Sequence, residues 1–233
     1  MKVWVYVEGK SDCLALDELW ADWKRRLSAS GWGMAAIPLE NKGRYLRKIG
    51  PRAAEKLAAQ AKDIVIGLPD FYPNQPDAGR PYGHVSLSDL RALQTRLVQD
   101  GLVQTQGISA RDVERHLDRF FASALKHDLE MLLLAAKDRL RAVLGTKDKL
   151  GGWRLPPEEQ NLAKPPKRIV EDLFRTRSAG HKSYKDTLHA PAVLRQVQDL
   201  REVLFGDGGM VNCPVFREML DWVGARTGVP AYQ

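Results

Sequence analysis

Two short apolar runs constrain this chain more than anything else in it. Lys2-Val-Trp-Val-Tyr-Val7 is β-branched and aromatic, and Asp63-Ile-Val-Ile-Gly-Leu68 is apolar throughout its centre. A strand with no polar alternation is covered on both faces, the signature of a parallel sheet packed between helices. The chain between these runs has the other periodicity. Leu16, Leu19, Trp20, Trp23 and Leu27 share one helical face, with Ser11 or Asp12 as the cap and Gly31 as the stop. Residues 34–38 read as a second strand, and Pro51 suits the first turn of a helix running to about residue 61. Strands alternating with helices predict βαβ units, and so an α/β fold with a parallel sheet.

The pattern continues with helices over 87–100 and 109–118, a fourth strand over Phe120–Leu125, and a helix from Asp128 to about Leu144. That helix would bury Leu129, Leu132, Leu133, Ala136, Leu140 and Val143. Residues 69–83 read as a loop and 145–166 as an excursion or mobile loop; helices follow over 167–177, 189–204 and 213–225. The expected organisation is an α/β core over 1–145, with a helical C-terminal extension over 146–233 packed on it as one continuous domain.

With 44% apolar residues in 233, the chain can bury a large core, which argues against wholesale disorder. Its apolar runs are far shorter than the roughly 20 residues that span a bilayer, so no membrane association is expected. The start does not read as a signal peptide. Cys13 and Cys213 form no Cys-x-x-Cys, which speaks against a zinc ribbon or a disulfide framework, and the expected setting is the reducing cytoplasm. A net charge of +7 is compatible with a polyanionic partner without requiring one.

Ligands of open α/β sheets bind beyond the carboxyl ends of the strands. Glu8 ends the first strand and Asp70 follows the third. A lone acid there is commonly a cap or a turn residue. Two on one sheet edge repel unless a cation neutralises them, and Mg2+ binds through one or two carboxylates with waters and phosphate oxygens. His127-Asp128-Leu129-Glu130 stands at the same edge. Asp128 reads most simply as the cap of its own helix, while Glu130 can add a metal ligand or a base, and His127 can orient it or be an ordinary buried histidine.

Other chemistries find less support. Gly9-Lys10-Ser11 resembles the end of a phosphate-binding loop, but the required upstream glycine is Trp4. No Gly-x-Gly-x-x-Gly follows the first strand, against a dinucleotide enzyme, and no Gly-x-Ser-x-Gly occurs. Two basic clusters, Lys164-Pro-Pro-Lys167-Arg168 and His181-Lys-Ser-Tyr184-Lys185, can hold phosphate or simply face water.

These residues, taken in order, resemble the Toprim domain of topoisomerases, primases and OLD-type nucleases. They are more similar still to a family of small stand-alone Toprim-like proteins often encoded beside an ATPase in bacterial phage-defence loci. The motifs carrying the likeness are Glu8-Gly9, Asp70-Phe71-Tyr72, His127-Asp128-Leu129-Glu130-Met131-Leu132-Leu133, Pro165-Pro166-Lys167-Arg168, Tyr184-Lys185 and Cys213-Pro214-Val215-Phe216. The resemblance implies a Toprim-like four-stranded parallel sheet and a Mg2+- or Mn2+-dependent nuclease cutting DNA or RNA in anti-phage defence, with an ABC-type or AAA ATPase as possible partner. It assigns Glu8, Asp70 and Glu130 as metal ligands and catalytic groups, Lys185 as a further catalytic group, and Lys10, Lys167 and Arg168 as phosphate-binding. The family's metal-binding Asp-x-Asp departs here: its second position is Tyr72, with Glu130 as the replacement. The alternative is a catalytically degenerate Toprim-like subunit that binds nucleic acid or the ATPase.

Overall fold

The computed structural model describes residues 1–72, 82–160 and 162–232. Most of the expected 69–83 loop lies outside them. The elements run β1 (Lys2–Val7), α1 (Lys10–Leu19), α2 (Ala21–Ala29), β2 (Gly33–Pro38), α3 (Lys42–Ala59) and β3 (Ile64–Leu68). They continue with α4 (Leu87–Gln104), α5 (Ala110–Leu117), β4 (Phe120–Ala122), α6 (Glu130–Ala135) and α7 (Lys137–Leu144). The last third holds α8 (Pro166–Arg177), α9 (Asp186–Leu194), α10 (Arg201–Leu204) and α11 (Pro214–Thr227).

The fold is α/β. Its four strands pair in the order β2-β1-β3-β4, all parallel. Strand alternation sorts the side chains into two cores. Val3, Val5, Val7, Ile64, Ile66 and Leu68 pack under α1 and α2 together with helices of the last third. Tyr6, Val65 and Phe120 face α3, α4 and α5. Each fully buried Val or Leu contributes roughly 1.5–3 kcal/mol. Register is pinned at the amino edge, where Asp63 accepts hydrogen bonds from the Lys2 amide at 2.8 Å and Trp4 Nε1 at 2.9 Å.

Several local expectations are corrected. The first helix starts at Lys10 with Gly9 as its cap, and Asp12 turns back to accept the Gly9 amide at 2.8 Å. It is broken at the buried Trp20. Pro51 lies inside α3, which Asn41 starts by accepting the Arg44 amide at 3.0 Å. An interior proline forfeits a backbone hydrogen bond, and the contact of α3 with α4 offsets that loss. The expected 128–144 helix is split at Ala136 into α6 and α7. The polar 145–166 stretch, expected to be an excursion or mobile loop, contains a 3-10 turn at Pro157–Glu159. There Glu158 is fully buried and caps α11, accepting the Val215 amide at 2.9 Å and the Phe216 amide at 3.4 Å. Burial holds its carboxyl up at about 7.

At the crossing of α3 with α4, a side chain on Gly101 would lie 2.6 Å from the Gly50 carbonyl oxygen, and one on Gly50 would run into the Leu97 carbonyl. Neither backbone can yield alone. Gly50→Ala is therefore expected to cost about 1–3 kcal/mol through overpacking. The measurement is a urea melt, in which the midpoint should fall with little change in slope; an unchanged midpoint would show that the crossing is looser than described.

Candidate functional site

Because all four strands are parallel, their carboxyl ends share one edge, and the residue after each strand lands there. Glu8 directly follows β1 and Asp70 comes just after β3, while Lys42 starts α3 beyond β2, and Asp128 and Glu130 come with the start of α6 beyond β4. Glu8 and the backbone of Asp70 come together there. Glu8 Oε1 accepts the Asp70 amide at 3.2 Å, and the Lys42 amide also donates to this carboxylate. β3 is extended by one more bridge, in which Asp70 pairs with Leu125, and this draws the β4 end toward the same place.

Lys42 Nζ donates to the Phe71 carbonyl at 2.6 Å, beside Asp70. Asp128 does not cap its own helix: its Oδ2 accepts the Lys167 amide at 3.2 Å, at the start of α8. The Lys167 ammonium meets Asp186 at 3.5 Å and interacts with Glu130 and Asp128. The helical last third thus closes over the sheet edge and brings Lys167, Tyr184 and Asp186 to acids from the first part of the chain.

The electrostatics follow from crowding in a dehydrated place. Burial, only partly countered by Lys42, lifts Glu8 to about 7. Burial, then repulsion from Glu130, lifts Asp128 to about 8. Asp70 is driven well above the usual carboxylate range, by burial and then by Asp12, Glu8, Asp128 and Glu130. Asp12 and Glu130 are raised too, chiefly by burial. Burial and the Glu130 charge push the Tyr184 hydroxyl upward. Asp128 and Tyr184 both lean on the Glu130 carboxyl, while the enclosed Asp70 Oδ1 has no hydrogen-bond partner. Buried polar atoms are rarely left so.

The candidate donors are oxygens, the type that suits Mg2+ or Mn2+. Among the described residues no three His, Cys, Asp or Glu side chains already converge at ligand spacing. A shell around such an ion would need these side chains to rotate. Tyr72, where a second Asp would stand, is held by ring contacts with Phe71 at 4.3 Å and His127 at 5.0 Å.

Of the residues singled out from the sequence, the fold brings together Glu8, Asp70, Glu130 and Lys167. Lys10, Arg168 and Lys185 adjoin cluster residues in the chain but are exposed; Arg168 pairs with Glu171 at 3.1 Å on α8. The sequence reading missed Lys42, Asp12 and Asp186 as members and took Asp128 for a local cap. Lys42 had no signal, since it lies four residues beyond the end of β2 and its partner Phe71 is 29 residues away. Asp128 had none, because its partner amide lies 39 residues away.

No protein-family model matches the chain, and no curated protein matches it. Solved structures of the C-terminal region of the OLD protein of Xanthomonas campestris pv. campestris are similar at 13% identity. One, phased with mercury, has a TM-score of 0.41 over 84% of this chain and 85% of that one. Another, phased with platinum, has a TM-score of 0.41 over 98% and 91%. No helix among the described residues is long and apolar enough to cross a membrane.

Raised carboxyl groups set the sign of a pH effect. Glu8 moves from 4.5 to about 7 and Asp128 from 3.8 to about 8, so between these values the folded chain binds more protons than the unfolded one. Stability is then lost as pH rises. In EDTA, the melting temperature is expected to fall from pH 5 to pH 8, and Asp70→Asn to flatten that fall. A melting temperature that climbs across this window would contradict the crowded arrangement.

Proposed function

We propose that this chain is a Mg2+- or Mn2+-dependent nuclease, cutting phosphodiester bonds in DNA or RNA from the carboxyl edge of its sheet. The observation that carries the reading is the gathering of Glu8, Asp12, Asp70, Asp128 and Glu130, with an unpartnered Asp70 oxygen and only partial compensation by lysines. Such a group is costly to keep ionised at neutral pH without a multivalent cation. The motif resemblance to Toprim proteins points the same way.

Glu8 and Asp70 would hold the ion from one side and Glu130 from the other. A bound divalent ion would supply Lewis-acid polarisation of a phosphoryl oxygen. Lys167, at the start of α8 and facing the acids, would neutralise phosphate charge and orient the strand. Lys10, Arg168 and Lys185, exposed around the cluster, would track the flanking phosphates. Asp128, which retains its proton near neutral pH, would be placed to deliver it to the leaving oxygen. A role in anti-phage defence, a partner ATPase and a cytoplasmic setting belong to the same proposal and rest on the motif resemblance alone. The second reading, a non-catalytic nucleic-acid- or ATPase-binding subunit, is favoured by Tyr72 in place of an acid.

The test is cleavage of plasmid DNA, single-stranded DNA and tRNA with Mg2+, Mn2+ or EDTA. Cleavage is expected with either metal and not with EDTA. Glu8→Gln and Asp70→Asn are each expected to lower the rate by at least about 100-fold, on the scale of losing a charge-stabilising group, while the chain stays folded. Inactivity on every substrate together with absent metal binding selects the second reading; activity retained in both variants sinks the assignment of these residues.

A further inference from the structure

The positive charge of the chain is not spread evenly. α3 holds six Lys and Arg against one acid, Glu55, a net of +5 in a chain whose total is +7. α4 has the same length of 18 residues and carries Arg91 and Arg96 against Asp89 and Asp100. Helix faces that meet only water are commonly balanced in that way. On α3 the cations are also aligned. Arg44, Lys48, Arg52 and Lys56 recur every four residues and form one row, with Arg47 beside it. Like charges at this spacing weaken a helix unless something of opposite sign lies along them.

The row is open to solvent: the Arg44 side chain is 53% exposed and that of Arg52 60%. Glu40 is shared by Arg44 and Lys48, and Glu55 by Arg52 and Lys56. Arg47 is exposed and pairs with no acid among the described residues. Five cations thus stand over two acids, a net of +3 on this face. Exposed ion pairs contribute little and exchange readily for phosphate.

Position and chemistry decide what covers the row. α3 starts at the site, where Lys42 Nζ donates to the Phe71 carbonyl at 2.6 Å, and runs back along the sheet toward the start of β3. Its length is about 27 Å at 1.5 Å per residue, with successive cations of the row about 6 Å apart. That span matches about eight base pairs of duplex. α3 contains no Ser, Thr, Asn or Gln, and its one aromatic residue, Tyr45, is buried. The face therefore offers no hydroxyl or amide to select a 2′-hydroxyl, and no ring on which an unstacked base could lie. What it can hold is phosphate, and duplex DNA presents phosphate in a stiff, regular line.

We propose that the outer face of α3 is the docking surface for duplex DNA flanking the site, holding about eight base pairs on one side of it through Arg44, Arg47, Lys48 and Arg52. The proposal rests on the nucleic-acid reading above, whether the chain cuts or only binds, and adds the surface and the duplex.

The test is fluorescence anisotropy of the full chain with duplex DNA in EDTA, so that nothing is cut, over a series of KCl concentrations. Arg47→Gln/Arg52→Gln is expected to bind at least about tenfold more weakly and to lose about 2 from the magnitude of the log–log salt slope, about one for each phosphate contact. Arg47→Lys/Arg52→Lys, which keeps both charges, is expected to keep the slope. Arg25→Gln/Arg141→Gln, which removes two exposed arginines from α2 and α7 on the other face of the sheet, is expected to keep slope and affinity. Unchanged binding by a folded Arg47→Gln/Arg52→Gln, checked by circular dichroism, or an equal loss in the α2–α7 variant, overturns the inference and leaves the nucleic-acid reading in place. Tighter binding of the matching single strand or RNA duplex does the same. A wild-type slope shallower than about 2 leaves too few phosphate contacts for the row and overturns the inference whatever the variants do. No binding of any of these by the wild type overturns the nucleic-acid reading and the inference with it.

Discussion

Like charges held together out of water are the constraint around which this molecule is arranged. A parallel sheet sends the end of every strand to one edge, and four of the residues that arrive there are carboxylates. The sheet does not choose this proximity freely. Once Val3–Val7 and Ile64–Leu68 are paired, Glu8 and Asp70 are neighbours whatever the cost. The molecule meets that cost with lysines, with backbone amides, and with protons that the acids keep to unusually high pH. None of these completes the hydrogen bonding of Asp70 Oδ1. A divalent cation would do so with one ligand.

The helical last third is part of this arrangement. Asp128 ties the end of β4 to the start of α8, and Lys167 and Asp186 face the acids from the opposite side. Tyr184 is held against Phe174, with ring centroids 5.1 Å apart, and Phe174 stacks on His189 at 4.4 Å. The far end of the last third is tied down separately. Arg226 reaches Asp118 at 2.7 Å and Arg91 reaches Glu218 at 2.6 Å, while Glu158 closes the start of α11. A single buried cluster runs from Val3 to Phe216, so removal of the last third would open the core as well as the site.

What could be read from the chain divides along a physical line. The strands were legible because β-branched runs of this kind have few other uses, and Glu8 and Asp70 because strand ends in a parallel sheet share an edge. Helix breaks at Trp20 and Ala136 were not, since the apolar stripe continues through both. Pro51 misled because its local preference for a first turn was outweighed by the Asn41 cap and by packing on α4. Glu158 was hidden in a polar stretch that looks mobile, and its purpose depends on amides 57 and 58 residues away. Asp128 and Lys42 share that character: what each does is set by a partner distant in sequence, and local pattern carries no trace of it.

The most direct measurement is anomalous diffraction from crystals soaked in Mn2+. An anomalous peak coordinated by Glu8 and Asp70, with Glu130 turned toward it, is the result expected here. Fully occupied crystals with no peak at this edge, and Asp70 Oδ1 paired instead with a protein group or an ordered water, would contradict the account at its base.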